Sequence, residues 1–288
     1  MSNFPTLLHR RDTYIERIKP FMQTPIVKVM IGHRRVGKSY ILYQLINEIR
    51  NKEHDANIIY INKEDIAHVD IVSSKDLHDY IATRLMSKRR NYIFIDEIQE
   101  IEDFKVAIRS LALNDSNDIY ITGSNSEMFS SDLANELGGR YVEFKIYSLS
   151  YMEFLDFHKL NNDDESLEKY NRFGGLPYLI HLPMREEVVM EYIRSVYSTI
   201  VLRDVVARNN IRNTAFLEQL IRFLADNIGS LFSSKSISDF LKSQNIRMSP
   251  TLVSEYADSL ASAFVVHRIE RYDIIGKRLF ERGQKYFF

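Results

Sequence analysis

Gly32-His33-Arg34-Arg35-Val36-Gly37-Lys38-Ser39 fits the spacing GxxxxGK[ST] in full. Each residue type in it has a chemical use. Gly32 and Gly37 permit backbone angles closed to other residues, so that successive N–H groups can turn inward around phosphate oxygens at a helix N-terminus. Lys38 is then placed to reach the β- and γ-phosphates, and the Ser39 hydroxyl to coordinate a magnesium ion. His33, Arg34, Arg35 and Val36 supply the loop backbone between the glycines, and Tyr40 follows directly. The bland alternative is a glycine turn that happens to precede a helix.

A second constellation lies at Tyr92-Ile93-Phe94-Ile95-Asp96-Glu97, where an apolar run ends in two carboxylates. It resembles a Walker B motif. Asp96 is the candidate to hold magnesium from the outer shell or through water, and Glu97 the candidate general base for the attacking water. Ile119-Tyr120-Ile121-Thr122-Gly123-Ser124-Asn125 ends the next apolar run in hydroxyl and amide groups. Ser124 and Asn125 are placed to sense a γ-phosphate, although Ser and Asn after Gly are also ordinary loop chemistry. Arg140, before the following apolar run, offers an arginine to a γ-phosphate in cis or on a neighbouring subunit; its other reading is a surface residue steadying a turn.

These side chains need elements that aim them at one point. The spacing predicts a helix over 13–21, ended by Pro20 and Pro25, and then a strand over 26–31 that runs into Gly32. A helix follows at 40–50, then strand 58–61, helix 76–86, strand 92–95, helix 104–113 and strand 119–122. After a Ser/Asn-rich loop a fifth strand is expected at 141–147. Strands separated by helices imply a parallel sheet covered on both faces, hence an α/β core over 1–150. Past residue 150 the pattern turns helical, at 151–159, 186–209 and 214–227. The last stretch reads as helix 236–243, turn 244–248, helix 250–264, and a β-hairpin of 265–272 with 284–288 around Gly276. That order resembles a winged helix-turn-helix.

The 288 residues include 38 Lys/Arg and 39 Asp/Glu, so no whole-molecule field draws the chain to nucleic acid or acidic membranes. The chain has no cysteine, which excludes disulfides and thiolate chemistry, and its eight His show no HxxxH spacing for a zinc site. No apolar stretch approaches the roughly 18 to 20 residues needed to cross a bilayer. Met1 to Pro20 does not read as a secretory signal. The expectation is a cytoplasmic protein without membrane contact.

Together these residues resemble the prokaryotic AAA-type ATPases of the STAND-related branch. The landmarks are Gly32 to Ser39, Ile95-Asp96-Glu97-Ile98-Gln99, Thr122-Gly123-Ser124-Asn125, Gly139-Arg140 and Phe173-Gly174-Gly175-Leu176-Pro177. The resemblance implies ATP or ADP with Mg2+ as cofactors and a five-stranded core of the AAA type, ahead of a helical lid (151–212) and a winged helix (213–288). It implies that Pro177 packs near the adenine, with Arg10 or Arg11 beside the base. Members continue into a C-terminal domain of nuclease-like function. This chain stops at Lys285-Tyr286-Phe287-Phe288, so the winged helix reads as truncated at its C-terminal edge, and a missing effector domain or a protein partner is expected to cover it.

The expected recognition helix, 250–264, carries Glu255 and Asp258 and no basic residue, which is poor equipment for a major groove. Basic groups gather instead at Arg268, Arg271, Lys277 and Arg278 in the hairpin, where a wing could grip a phosphate backbone. Three functions compete: a Mg-dependent ATPase that moves the winged helix, a nucleotide-held switch with negligible turnover, and a DNA-binding regulator tuned by nucleotide. Glu97 favours the first, since pure binding needs no positioned base.

Overall fold

The computed structural model describes residues 9–126, 131–244, 246–269 and 284–288. They fall into two compact units, residues 1–194 and 195–288.

The first unit is built on a parallel five-stranded sheet: β1 (Val27–Ile31), β2 (Asn57–Asn62), β3 (Asn91–Asp96), β4 (Asn117–Gly123) and β5 (Tyr141–Lys145), in the order β2-β3-β4-β1-β5. Every residue of β1, β3 and β4 is buried, as expected of central strands covered on both faces. Successive side chains point to opposite faces. Met30, Phe94, Tyr120 and Phe144 therefore share one face, where they pack with α1 (Asp12–Ile18) and α2 (Lys38–Lys52) through Ile15, Ile18, Ile41, Leu45 and Ile49. Phe94 and Tyr120 stack across β3 and β4 with ring centroids 4.5 Å apart. The alternate residues Ile31, Ile95 and Ile121 are buried on the other face. The α/β P-loop core read from the sequence is present, and β4 stands between β1 and β3.

Helix ends explain several boundaries. α3 (Ser74–Ala82) starts on a capping box, Ser73 with Asp76. It stops four residues short of the predicted 86, because the Arg84 carbonyl takes the Asn57 amide and the Met86 N–H goes to the Asn91 side chain. α4 is Phe104–Leu111. The stretch after β4, read as a loop, contains α5 (Ser131–Leu137), a two-turn helix whose Leu133 and Leu137 are buried four positions apart. α6 (Tyr151–His158) starts on a second capping box, Ser150 with Glu153, and α7 (Asp164–Phe173) was not legible in the periodicity. The helix expected over 186–209 is α-helical only at α8 (Glu186–Thr199) and continues as a π-helix over Ile200–Ala207. There Ile200 with Asp204, and Val201 with Val205, are buried four positions apart, a spacing close to the wider turn.

The second unit contains α9 (Thr214–Asp226), β6 (Leu231–Phe232), α10 (Ser234–Ser243), α11 (Pro250–Ser262), β7 (His267–Ile269) and β8 (Gln284–Phe287). Ser249 caps α11 and Pro250 opens it, as the sequence predicts. The strands form an antiparallel sheet in the order β6-β8-β7, so β8 gains a second neighbour, β6, that the sequence did not reveal. Its core is separate: Leu217, Leu220, Val253, Ala257 and Leu260 with Tyr286. The turn around Gly276, with Arg271, Lys277 and Arg278, lies outside the described residues. Among the described residues no helix is long and apolar enough to cross a membrane.

Candidate functional site

The loop after β1 is shaped by close approach. A Cβ on Gly32 would lie 2.2 Å from the Ile146 carbonyl oxygen, and Ile146 donates its N–H to Ile31 at 2.7 Å. Only glycine fits there. Gly37, at φ 95°, is the N-cap of α2, in a left-handed conformation that glycine adopts without strain. Arg35 is also left-handed, at φ 67°. Arg11, 3% exposed, braces the loop from behind: its guanidinium donates to the carbonyls of Val36 and Tyr147 at 3.0 Å and pairs with Glu153 at 2.8 Å.

Lys38 is buried at the start of α2. Its ammonium donates to the carbonyls of Gly32 (2.9 Å) and His33 (3.1 Å) and lies 3.3 Å from Glu97 Oε1. The Ser39 hydroxyl lies beside the Asp96 carboxylate, close enough to lower its pKa. The loop and the end of β3 therefore meet, although β4 separates their strands. Asp96 is held from both sides, since Thr122 Oγ1 on β4 donates to Oδ1 and the Tyr60 hydroxyl on β2 donates to Oδ2 at 3.3 Å. Burial raises the Asp96 pKa, against the opposing hydrogen bonds of Ser39 and Thr122.

Glu97 follows in a left-handed conformation, φ 54°, a strain of about 1 kcal/mol or more for a non-glycine residue. Its N–H donates to Thr122 Oγ1 at 2.9 Å, so one threonine holds both the Asp96 carboxylate and the Glu97 backbone. Burial alone would raise the Glu97 pKa, but the Lys38 ammonium, the Gln99 amide and Arg34 together bring it down to about 2. Ser124 and Asn125 are buried at the end of β4, and Gln99 Nε2 lies 3.3 Å from Ser124 Oγ.

The other predicted site residues have contacts of their own. His33 Nε2 is 3.1 Å from Ser148 Oγ, and Arg34 pairs with Glu64 at 3.1 Å. The Arg35 guanidinium lies 5.7 Å from the ring centroid of Tyr192, a cation–π distance. Tyr40 is exposed, its ring 5.7 Å from that of Tyr43. Pro177 is brought to the loop, its Cγ 3.8 Å from where a Gly37 Cβ would be. Arg10 is on the surface, paired with Asp12 and Glu48. Arg268 pairs with Asp258 at 2.7 Å.

Arg140 is corrected for the cis role. Its carbonyl accepts the Val27 N–H at 3.0 Å, at the amino end of β1, whereas the phosphate loop leaves the carboxyl end. A five-residue strand spans roughly 16 Å, beyond the reach of one side chain within the subunit. Arg11 likewise is committed to Val36 and Glu153, so its contacts are those of a structural brace.

Two residues of the site were missed. Thr122 stood in a quoted string without a role, because its place beside Asp96 depends on β3 and β4 being neighbours. Gln99 has no sequence signal beyond its place two positions after Glu97.

Residues 24–155 match the family model of an AAA domain, and residues 164–288 match a domain of unknown function, DUF8612. An uncharacterized protein of Haemophilus influenzae is 34% identical over 284 residues, covering 96% of this chain and 70% of that protein. The chain belongs to its family and carries an AAA domain. The uncharacterized protein MJ1544 of Methanocaldococcus jannaschii is 30% identical over 261 residues, and the match spans 57% of its length. Among solved structures, the AAA-domain chain is similar to the Aeropyrum pernix ORC1 protein in complex with DNA. That likeness has 14% identity and a TM-score of 0.45, with 98% of this chain and 90% of that one covered. It is also similar to AMPPCP-bound DnaA from Aquifex aeolicus, with 14% identity, a TM-score of 0.41, and 76% and 75% covered.

Proposed function

We propose that this AAA-domain protein is a magnesium-dependent ATPase. The observation that carries the reading is the meeting of Lys38, Ser39, Asp96 and Glu97 at the carboxyl ends of β1 and β3. Lys38 would exchange its two carbonyl partners for phosphate oxygens, which bind an ammonium more strongly. The Ser39 hydroxyl and the Asp96 carboxylate, set beside each other, are a hard oxygen pair suited to Mg2+. Among the described residues no group of three or more His, Cys, Asp or Glu could hold a metal by itself, which fits an ion that takes its remaining oxygens from phosphate and water. Magnesium bound there would neutralise charge developing on the transferred phosphoryl group. Glu97 would then accept the proton of the attacking water. Ser124 and Asn125 would face the γ-phosphate, and Arg140 would serve only a neighbouring subunit. The Gly37–Pro177 and Arg35–Tyr192 approaches tie the loop to the helical region 151–212, read here as the lid. The order β6-α10-α11-β7-β8 supports reading 213–288 as a winged helix.

Steady-state phosphate release from the wild type and Glu97→Gln tests this. At least a tenfold drop in the variant is expected, with nucleotide affinity within about threefold. Equal, near-zero rates in both would sink the enzyme reading and leave the slow switch. One observation favours that second reading: Glu97 is ion-paired with Lys38, and a carboxylate with a pKa of about 2 is a weak base until the lysine is drawn away.

A further inference from the structure

Gln99 lies two residues past Glu97, in the 3-10 turn Ile98–Glu100. Its Nε2 donates to Glu97 Oε2 and, at 3.3 Å, to Ser124 Oγ, so one side chain spans the ends of β3 and β4. The orientation of the amide follows from chemistry. A carboxylate only accepts, so the NH2 group must face it. This leaves Gln99 Oε1 buried without a hydrogen-bond partner among the described residues. An orphaned buried acceptor is unfavourable, so the donation to Glu97 is what fixes the amide.

The two oxygens of Glu97 thus have different holders. Oε1 faces the Lys38 ammonium at 3.3 Å, and Oε2 takes the Gln99 amide. Thr122 holds the backbone N–H of the same residue. If Lys38 turns to a phosphate, Oε1 is freed while Oε2 stays fixed. The left-handed backbone at Glu97 and the Glu100 N–H to Glu97 carbonyl bond of 3.1 Å fold position 99 back toward it.

We propose that Gln99 is a positioning residue that keeps Glu97 aimed at the water and links it to Ser124, so that a γ-phosphate drawing on the Ser124 hydroxyl is registered at the base. This rests on the ATPase reading. The test uses the full chain: wild type, Gln99→Glu, Ser124→Ala and the double variant, measured for steady-state phosphate release and for affinity for a fluorescent ATP analogue with Mg2+. Gln99→Glu keeps the shape and replaces the donor with an acceptor. It should lower kcat at least tenfold with affinity within twofold, a split that a general loss of structure would not give. The double variant should fall no further than the worse single one, because both act through one contact. Turnover of Gln99→Glu within twofold of wild type, or additive losses in the double variant, would overturn the proposal. Should Gln99→Glu not fold, Gln99→Leu, which removes the donor without adding charge, gives the same comparison. A wild type no faster than Glu97→Gln fails earlier and removes the ATPase reading itself, so the two failures are distinct.

Discussion

Glu153 shows how a single side chain that touches neither Asp96 nor Glu97 supports the phosphate-loop region. Burial alone would raise its pKa, but the Arg11 guanidinium and the Ser150 N–H hold it below the ordinary carboxylate range. A group whose folded pKa is depressed adds stability above its unfolded value, here 4.5, and that stability is lost as pH falls through the folded value. Arg11 is 3% exposed and Glu153 19%, so the pair is screened less than a surface pair. Glu153→Gln should therefore be less stable than wild type by about 1 to 2 kcal/mol at pH 7. The difference should shrink below about pH 4.5. Urea unfolding of both proteins at pH 7 and pH 4 measures this, and an equal gap at both pH values would contradict it. Because the same guanidinium holds the Val36 carbonyl, the variant should also weaken nucleotide affinity.

Among the connecting segments, residues 174–177 decide where Pro177 stands. Gly175 accepts the Leu149 N–H at 2.7 Å, and a Cβ on it would lie 2.2 Å from the Leu149 carbonyl oxygen. That backbone cannot give as a side chain would. Gly175→Ala should cost about 2 kcal/mol or more. For a unit of this size that is roughly 4 to 8 °C in Tm, readable by calorimetry. It should also move Pro177 off Gly37 and lower nucleotide affinity, whereas Gly138→Ala, strained by its φ of 56° but with nothing within 4 Å of its Cβ, should leave affinity unchanged. At this scale the sequence was legible where periodicity ran long or a cap was marked: β1 with α2, β3, and Ser249 with Pro250. It was not legible for α5 and α7, or for β6. A two-turn helix gives too few repeats, α7 presents mostly polar residues, and a two-residue strand is defined only by its partner β8.

The molecule as a whole has two cores, one around α1, α2 and the parallel sheet and one around α9 and α11. Tyr192 of α8 belongs to the first unit, and the π-helix Ile200–Ala207 to the second. Saturating ATP analogue with Mg2+, at a hundred times Kd, should stabilise the nucleotide-binding unit by about 2.7 kcal/mol. Hydrogen exchange should then slow at 32–39 and 96–99, with α11 unchanged. Equal protection of α11 would mean that the two cores open as one.

What the sequence determined by itself was local. Gly32 to Ser39 states its phosphate chemistry in one uninterrupted string, and Asp96-Glu97 at the end of an apolar run states the second half. Backbone conformation and short-range spacing are enough for that. What only the tertiary structure decided was company. Thr122 reaches the Asp96 carboxylate and the Glu97 backbone because β4 lies beside β3, Gln99 bridges to Ser124 across the same pair of strands, and Arg11 braces a loop 25 residues away. Arg140, close in sequence to Ser124 and Asn125, is carried by the sheet to its opposite end. Strand order is set by burial of whole faces against helices, a property of the assembled sheet that no single segment contains.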